Sequence, residues 1–122
     1  MSEVYRIGST GERLLAEYLT IEGRTVEPSD TKTFDLIVDG RYAEVKTSKA
    51  PYQKLGFVGL TDNQFKALED GVDFTLFVVC NLDDPENLEV IEIPASALKQ
   101  EEPKVECTYY WYRSQLERVR KG

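Results

Sequence analysis

The sequence predicts an α/β fold, a central mixed sheet flanked by helices. Three observations carry this. Ser9-x-x-Glu12 and Thr61-x-x-Gln64 match the capping box that opens a helix, in which a Ser or Thr side chain and a Glu or Gln three residues on satisfy each other's backbone donors. Asp39-Gly40, set between two β-prone segments, is the strongest short-range hairpin signal, because a type I′ turn needs φ > 0 at both central residues. Phe74-Thr75-Leu76-Phe77-Val78-Val79-Cys80 is nearly continuous apolar sequence, as strands covered on both faces are.

The elements follow in order. The first helix starts at Ser9 and runs to about Glu22, where Gly23 ends it. Leu15, Ala16 and Leu19 form its apolar stripe, at helical spacing from Glu12. Arg24 to Val26 reads as a short strand or lead-in, and Pro28-Ser29-Asp30 as a turn. Residues 34–38 and 42–47 form the hairpin. Pro51, Gly56 and Gly59 mark a loop with a short extended stretch at Phe57-Val58. The second helix opens at Thr61, continues to about Glu69, and has Gly71 just past its end. After the apolar strand comes a polar turn at 81–87, then a strand at 88–93 halted by Pro94. A short helix spans Ala95 to Leu98. Residues 105–112 are β-prone and aromatic, and Ser114-x-x-Glu117 caps a last basic helix.

A chain of 122 residues, 41% of them hydrophobic, is one domain, 1–122, able to bury a core. It has no apolar run of eighteen residues, so no membrane-spanning segment is expected. Its first residues lack a basic segment followed by an apolar one, so a cytoplasmic location is expected. Cys80 and Cys107 then read as buried thiols. The chain contains no His. That removes Ser-His-Asp triads, His general bases and His zinc sites. Catalysis here must use carboxylates, Lys, Tyr or a metal.

The net charge of −7 argues against non-specific binding of nucleic acid over the whole surface. The charge is uneven, however. Residues 62–106 carry twelve acids against three bases, and residues 107–122 one against four. Lys46, Lys49 and Lys54 lie in a stretch free of acids that also holds Tyr52. A phosphate backbone fits that stretch; a solvated lysine loop reads the same.

The hairpin carries the chemistry. With Asp39-Gly40 at the turn, Val38 faces Arg41, Ile37 faces Tyr42, Leu36 faces Ala43 and Asp35 faces Glu44. Opposed residues share one face of the sheet, and Lys46, two residues on, joins Glu44 there. Two opposed carboxylates repel unless something neutralises them. Lys46 does so in a merely structural strand pair. A divalent cation such as Mg²⁺ does so in a hydrolytic site.

Asp35-x8-Glu44-x-Lys46 resembles the motif of the PD-(D/E)XK nuclease superfamily, the restriction-endonuclease-like proteins. The order of helix, hairpin, helix and buried strand also resembles that family's core. Within it, Gly8-x-x-Gly11-Glu12, Glu44-Val45-Lys46-Thr47 and Leu60-Thr61-x-x-Gln64 look like the Mrr-type and NO VEIN C-terminal-type branches. Phe34 stands where the family motif has Pro. The resemblance implies a metal-dependent endodeoxyribonuclease. Asp35, Glu44 and the Val45 carbonyl hold Mg²⁺, which Mn²⁺ can replace. Lys46 assists the attacking water, and Glu12 completes the site. Lys49, Tyr52, Lys54 and Gln64 contact DNA. A homodimer is implied by the need to cut two strands.

The residues also support other readings. Glu12 and Gln64 are explained by helix capping alone. Tyr109-Tyr110-Trp111-Tyr112 suits nucleobase stacking, a packed strand or, in its exposed half, a dimer contact. The chain as a whole also reads as a catalytically silent DNA- or protein-binding module, or as an acidic protein whose residues 62–106 meet a basic partner.

Overall fold

The computed structural model describes residues 10–105 and 109–120. It contains helix α1 (Thr10–Ile21), strands β1 (Val26–Pro28), β2 (Leu36–Val38), β3 (Arg41–Thr47) and β4 (Phe57–Leu60), and helix α2 (Asp62–Glu69). Strands β5 (Phe74–Cys80) and β6 (Glu89–Pro94), helix α3 (Ala95–Leu98), strands β7 (Lys104–Val105) and β8 (Tyr109–Tyr112) and helix α4 (Arg113–Val119) follow. One sheet has five strands in the order β1-β2-β3-β5-β6, and a second has three in the order β4-β8-β7. The larger sheet is mixed, since β3 and β5 run parallel while its other neighbours are antiparallel.

The hairpin forms as the turn residues dictate. Asp39 and Gly40 both have positive φ, 52° and 81°, as a type I′ turn requires. The register pairs Val38 with Arg41, Ile37 with Tyr42 and Leu36 with Ala43. Because side chains alternate along a strand, this register sends Leu36, Val38, Ala43 and Val45 to one face. There they pack under Leu15, Ala16 and Leu19 of α1. Tyr42, Glu44 and Lys46 go to the other face.

Every residue of β5 is buried. Phe77 and Val79 pack toward α1, while Phe74, Leu76, Val78 and Cys80 pack toward the second sheet, α2, α3 and α4. Cys80 is a buried free thiol. Cys107 and Ser9 lie outside the described residues.

The β-prone stretch at 105–112 supplies β8 and part of β7, which pair antiparallel with each other, Lys104 opposite Tyr110 and Val105 opposite Tyr109. One expectation needs correction near the C-terminus, at the start of the last helix. The last helix starts at Arg113 with Tyr112 as its N-cap. Gln115 Oε1 accepts from the Tyr112 N–H at 3.0 Å, so Gln115 rather than Glu117 closes the helix start. Trp111 is fully buried, and its indole N–H donates to the Glu101 carbonyl at 3.1 Å.

Candidate active site

Asp35 stands one residue before β2, and its backbone departs from the hairpin ladder. Its N–H donates to the Ala43 carbonyl at 3.1 Å, while its own carbonyl accepts from the Ser29 N–H at 3.3 Å. A regular register would set Asp35 opposite Glu44 without that bond to Ala43. The slip has the hydrogen bonding of a β-bulge, and bulges re-aim side chains beside functional sites. The consequence is visible at β3: Asp35 Oδ2 accepts from the Val45 N–H at 2.9 Å. In a strand the N–H and C=O of one residue point to the same edge. The Val45 carbonyl therefore projects along the edge of β3 where Asp35 lies, beyond the end of β2.

Glu44 sits on the face of β3 that packs into the larger core cluster, opposite Leu76, and is only 4% exposed. Its Oε2 lies 2.9 Å from Lys46 Nζ. Its Oε1 is buried without a hydrogen-bond partner. Burial raises the Glu44 carboxyl from 4.5 to about 7; Lys46 opposes the shift and the Asp35 carboxylate adds to it. With both acids ionised, nothing between them can donate. That orphaned oxygen beside a second carboxylate suits a hard cation with oxygen ligands, so Asp35, Glu44 and the Val45 carbonyl are the residues able to hold one.

The first helix meets this end of β3 at Gly11. A methyl group on Gly11 would collide with Thr47 Cγ2, next to Lys46. Glu12, in the first turn of α1, is thereby placed near the end of β3. Among the described residues, no group of three Asp, Glu, Cys or His side chains able to hold a metal is formed. The carboxylate cluster is the pair Asp35–Glu44.

The four residues matched to DNA contact separate into two kinds. Lys49 and Lys54 are exposed, in the segment that leaves β3. Tyr52 is 3% exposed and packs in the core, where burial pushes its phenol up to about 12; its ring has no open face for a base. Gln64 is likewise buried. Its Oε1 accepts from the Thr61 N–H at 3.1 Å and its Nε2 donates to the Thr33 carbonyl at 3.0 Å. It completes the predicted capping box and also ties the start of α2 to the segment entering Asp35. That second bond joins positions 31 residues apart and leaves no local sequence signal.

A further cluster went unread in the sequence. Arg24 donates from Nε to Asp39 Oδ2 at 2.8 Å, and from its two terminal nitrogens to Glu92 at 2.8 and 3.0 Å. This fork ties the hairpin turn to β6 across the sheet. The adjoining cleft of about 390 Å³, lined by Tyr18, Glu22, Arg24, Glu92 and Arg120 among others, follows the β6 edge, away from the carboxylate pair.

The chain matches no family model and no curated protein sequence. Its structure is similar to that of Hjc, a Holliday junction resolvase from the archaeal hyperthermophile Archaeoglobus fulgidus. The TM-score is 0.56, over 88% of this chain and 90% of that one, at 16% sequence identity. The fold is restriction-endonuclease-like. A restriction-endonuclease-like core explains why the mixed sheet is built around β3 and β5, with the hairpin on one side.

Proposed function

We propose that this chain is a metal-dependent endodeoxyribonuclease formed by one domain over residues 1–122. The observation that carries the reading is the buried, partnerless Glu44 Oε1 beside Asp35, with Lys46 on the other Glu44 oxygen. A protein gains no stability from such an oxygen. A cation-binding site uses it directly.

In this reading Asp35, Glu44 and the Val45 carbonyl hold Mg²⁺ or Mn²⁺. The ion supplies Lewis-acid polarisation of the phosphate and a more acidic water. Lys46 favours the anionic form of Glu44 against its burial and presents a point charge to the phosphate. The Val45 N–H fixes the Asp35 carboxylate so that it need not reorganise during reaction. Glu12, in the first turn of α1, completes the site. Lys49 and Lys54 meet the DNA backbone beyond β3.

The structural similarity to a junction resolvase supports a DNA substrate of duplex or branched form, cut by a homodimer. The motif spacing favours the Mrr-type or NO VEIN C-terminal-type branch. A cytoplasmic location agrees with Cys80 being a thiol.

The test is Asp35→Asn. Asn keeps an oxygen to accept from Val45, so the variant folds. Mn²⁺ titration in the presence of uncleaved DNA analogue, and Mg²⁺-dependent cutting of plasmid and branched DNA, should both be lost. Normal cutting by Asp35→Asn would refute the site. A folded wild type that binds no metal would leave the cluster as scaffold of a silent module.

A further inference from the structure

The second sheet has two unlike faces. Val58, Leu60 and Trp111 point inward and are at most 4% exposed. The register pairs Phe57 with Tyr112, Gly59 with Tyr110 and Lys104 with Tyr110, so these five residues share the outward face. Phe57 is 56% and Tyr112 46% exposed, high values for large rings. The rings are organised rather than scattered. Tyr110 lies 5.2 Å from Phe57 and 5.5 Å from Tyr112, edge-on to the latter. Gly59, opposite Tyr110, puts no side chain over the centre of the face.

The charge on this face runs against that of the molecule. In a chain of net charge −7, the one charged residue among the five positions is Lys104, which is exposed. Arg113 directly follows β8 and Lys54 stands three residues before β4. The Arg113 N–H bonds the Gly56 carbonyl at 3.2 Å, which brings those ends together, while its guanidinium bears on the buried Tyr52. Glu101 bears on Lys104 from beside the face, but none of the five outward positions holds an acid, and exposed rings beside a cation match bases joined by phosphates.

The size of the face also selects the occupant. Two strands of four residues and a third of two, at ~3.3 Å per residue and ~4.8 Å apart, give a face of at most roughly 13 by 10 Å. A stable protein dimer needs about 800 Å² per partner, several times that. A few stacked bases fit within it.

We propose that the outward face of the β4–β8–β7 sheet is a stacking platform for an unpaired nucleic-acid strand, with Phe57 and Tyr112 under the bases and Lys104 toward the phosphates. Binding there needs no metal and no cleavage, so it stands apart from the nuclease reading.

The test is fluorescence anisotropy with a dye-labelled oligothymidine of about ten nucleotides, within the range that single-strand sites cover. It is done on the full chain in EDTA, with wild type, Phe57→Ala, Phe57→Trp and Asp35→Asn. Phe57 is exposed, so its replacement leaves the core intact. Phe57→Ala should weaken binding about tenfold, the scale of one lost base–ring stack. Phe57→Trp should restore it, and Asp35→Asn should bind as wild type does. No binding by wild type, or equal binding by Phe57→Ala, overturns the platform. Loss of binding in Asp35→Asn overturns it too, by moving the strand to the carboxylate cluster. Sedimentation of the same proteins supplies the remaining arm: a wild-type dimer that Phe57→Ala converts to monomer would make this face a subunit contact and overturn the proposal.

Discussion

Lys46 Nζ sits 2.9 Å from Glu44 Oε2, while the other oxygen of the same carboxylate is buried with no donor. One half of Glu44 is therefore neutralised by the chain and the other half is not. Burial outweighs the ammonium, and the group titrates at about 7 instead of 4.5. In the folded chain near neutral pH, a proton occupies Glu44 about half of the time, and a cation must displace it.

That competition fixes a pH dependence for metal binding. Above about pH 7 the Mn²⁺ affinity should be nearly constant. Below it, affinity should fall about tenfold per pH unit, because one proton must leave for each ion bound. Titration calorimetry at several pH values measures this. Repeating it near pH 7 in buffers of different ionisation enthalpy should show about half a proton released per ion. Lys46→Met removes the group that favours the anion, so its break should lie at higher pH than that of wild type. A break that stays near the ordinary carboxylate range would remove Glu44 from the metal site.

The same titration makes Glu44 a stability cost to the metal-free protein. Its folded value is raised, so the folded state holds the proton more tightly than the unfolded chain. The favourable contribution is complete below about 4.5 and is lost as pH rises to about 7. At ~1.4 kcal/mol per pH unit the loss is about 3 kcal/mol at neutral pH and above. Glu44→Gln has no proton to lose. Without metal, it should match wild type near pH 4.5 and exceed it at pH 8 by on the order of 2–3 kcal/mol. Urea unfolding at the two pH values tests this. An equal difference at both would show that Glu44 does not titrate as its burial requires.

The register of the site was legible because Asp39-Gly40 fixes a two-residue turn, and counting outward from it places Leu36 opposite Ala43. The capping box at Thr61 and the end of α2 before Gly71 were legible for the same reason: both are local. The bulge at Asp35 was not, because the Asp35 N–H bond to Ala43 that defines it departs from the register that the turn predicts. Tyr52 looked available in a lysine-rich loop, yet its short 3₁₀ turn has no periodicity from which burial can be read. The second sheet joins residues 57–60 to residues 109–112. Nothing short-range in the sequence links those segments, so the aromatic run gave its β propensity but not its partner or its inward face.

Gly11 links the first helix to the cluster and yields the last prediction. At an ordinary helical position, Gly→Ala would stabilise by about 1 kcal/mol through backbone entropy. Here the added methyl meets Thr47 Cγ2, and α1 is held down by Leu15, Ala16 and Leu19 in the core. Helix or strand must shift, at a cost of about 1–3 kcal/mol typical of overpacking. Gly11→Ala should therefore lower stability, and it should depress cleavage by displacing the end of β3 that carries Lys46. Thr47→Ser removes the methyl that is struck. The double variant should recover both stability and activity, and the helix-propensity gain of Ala should then show. A double-mutant cycle by urea unfolding reads the coupling, expected between 0.5 and 3 kcal/mol for residues in contact. Strict additivity would mean that α1 does not bear on β3 at this point.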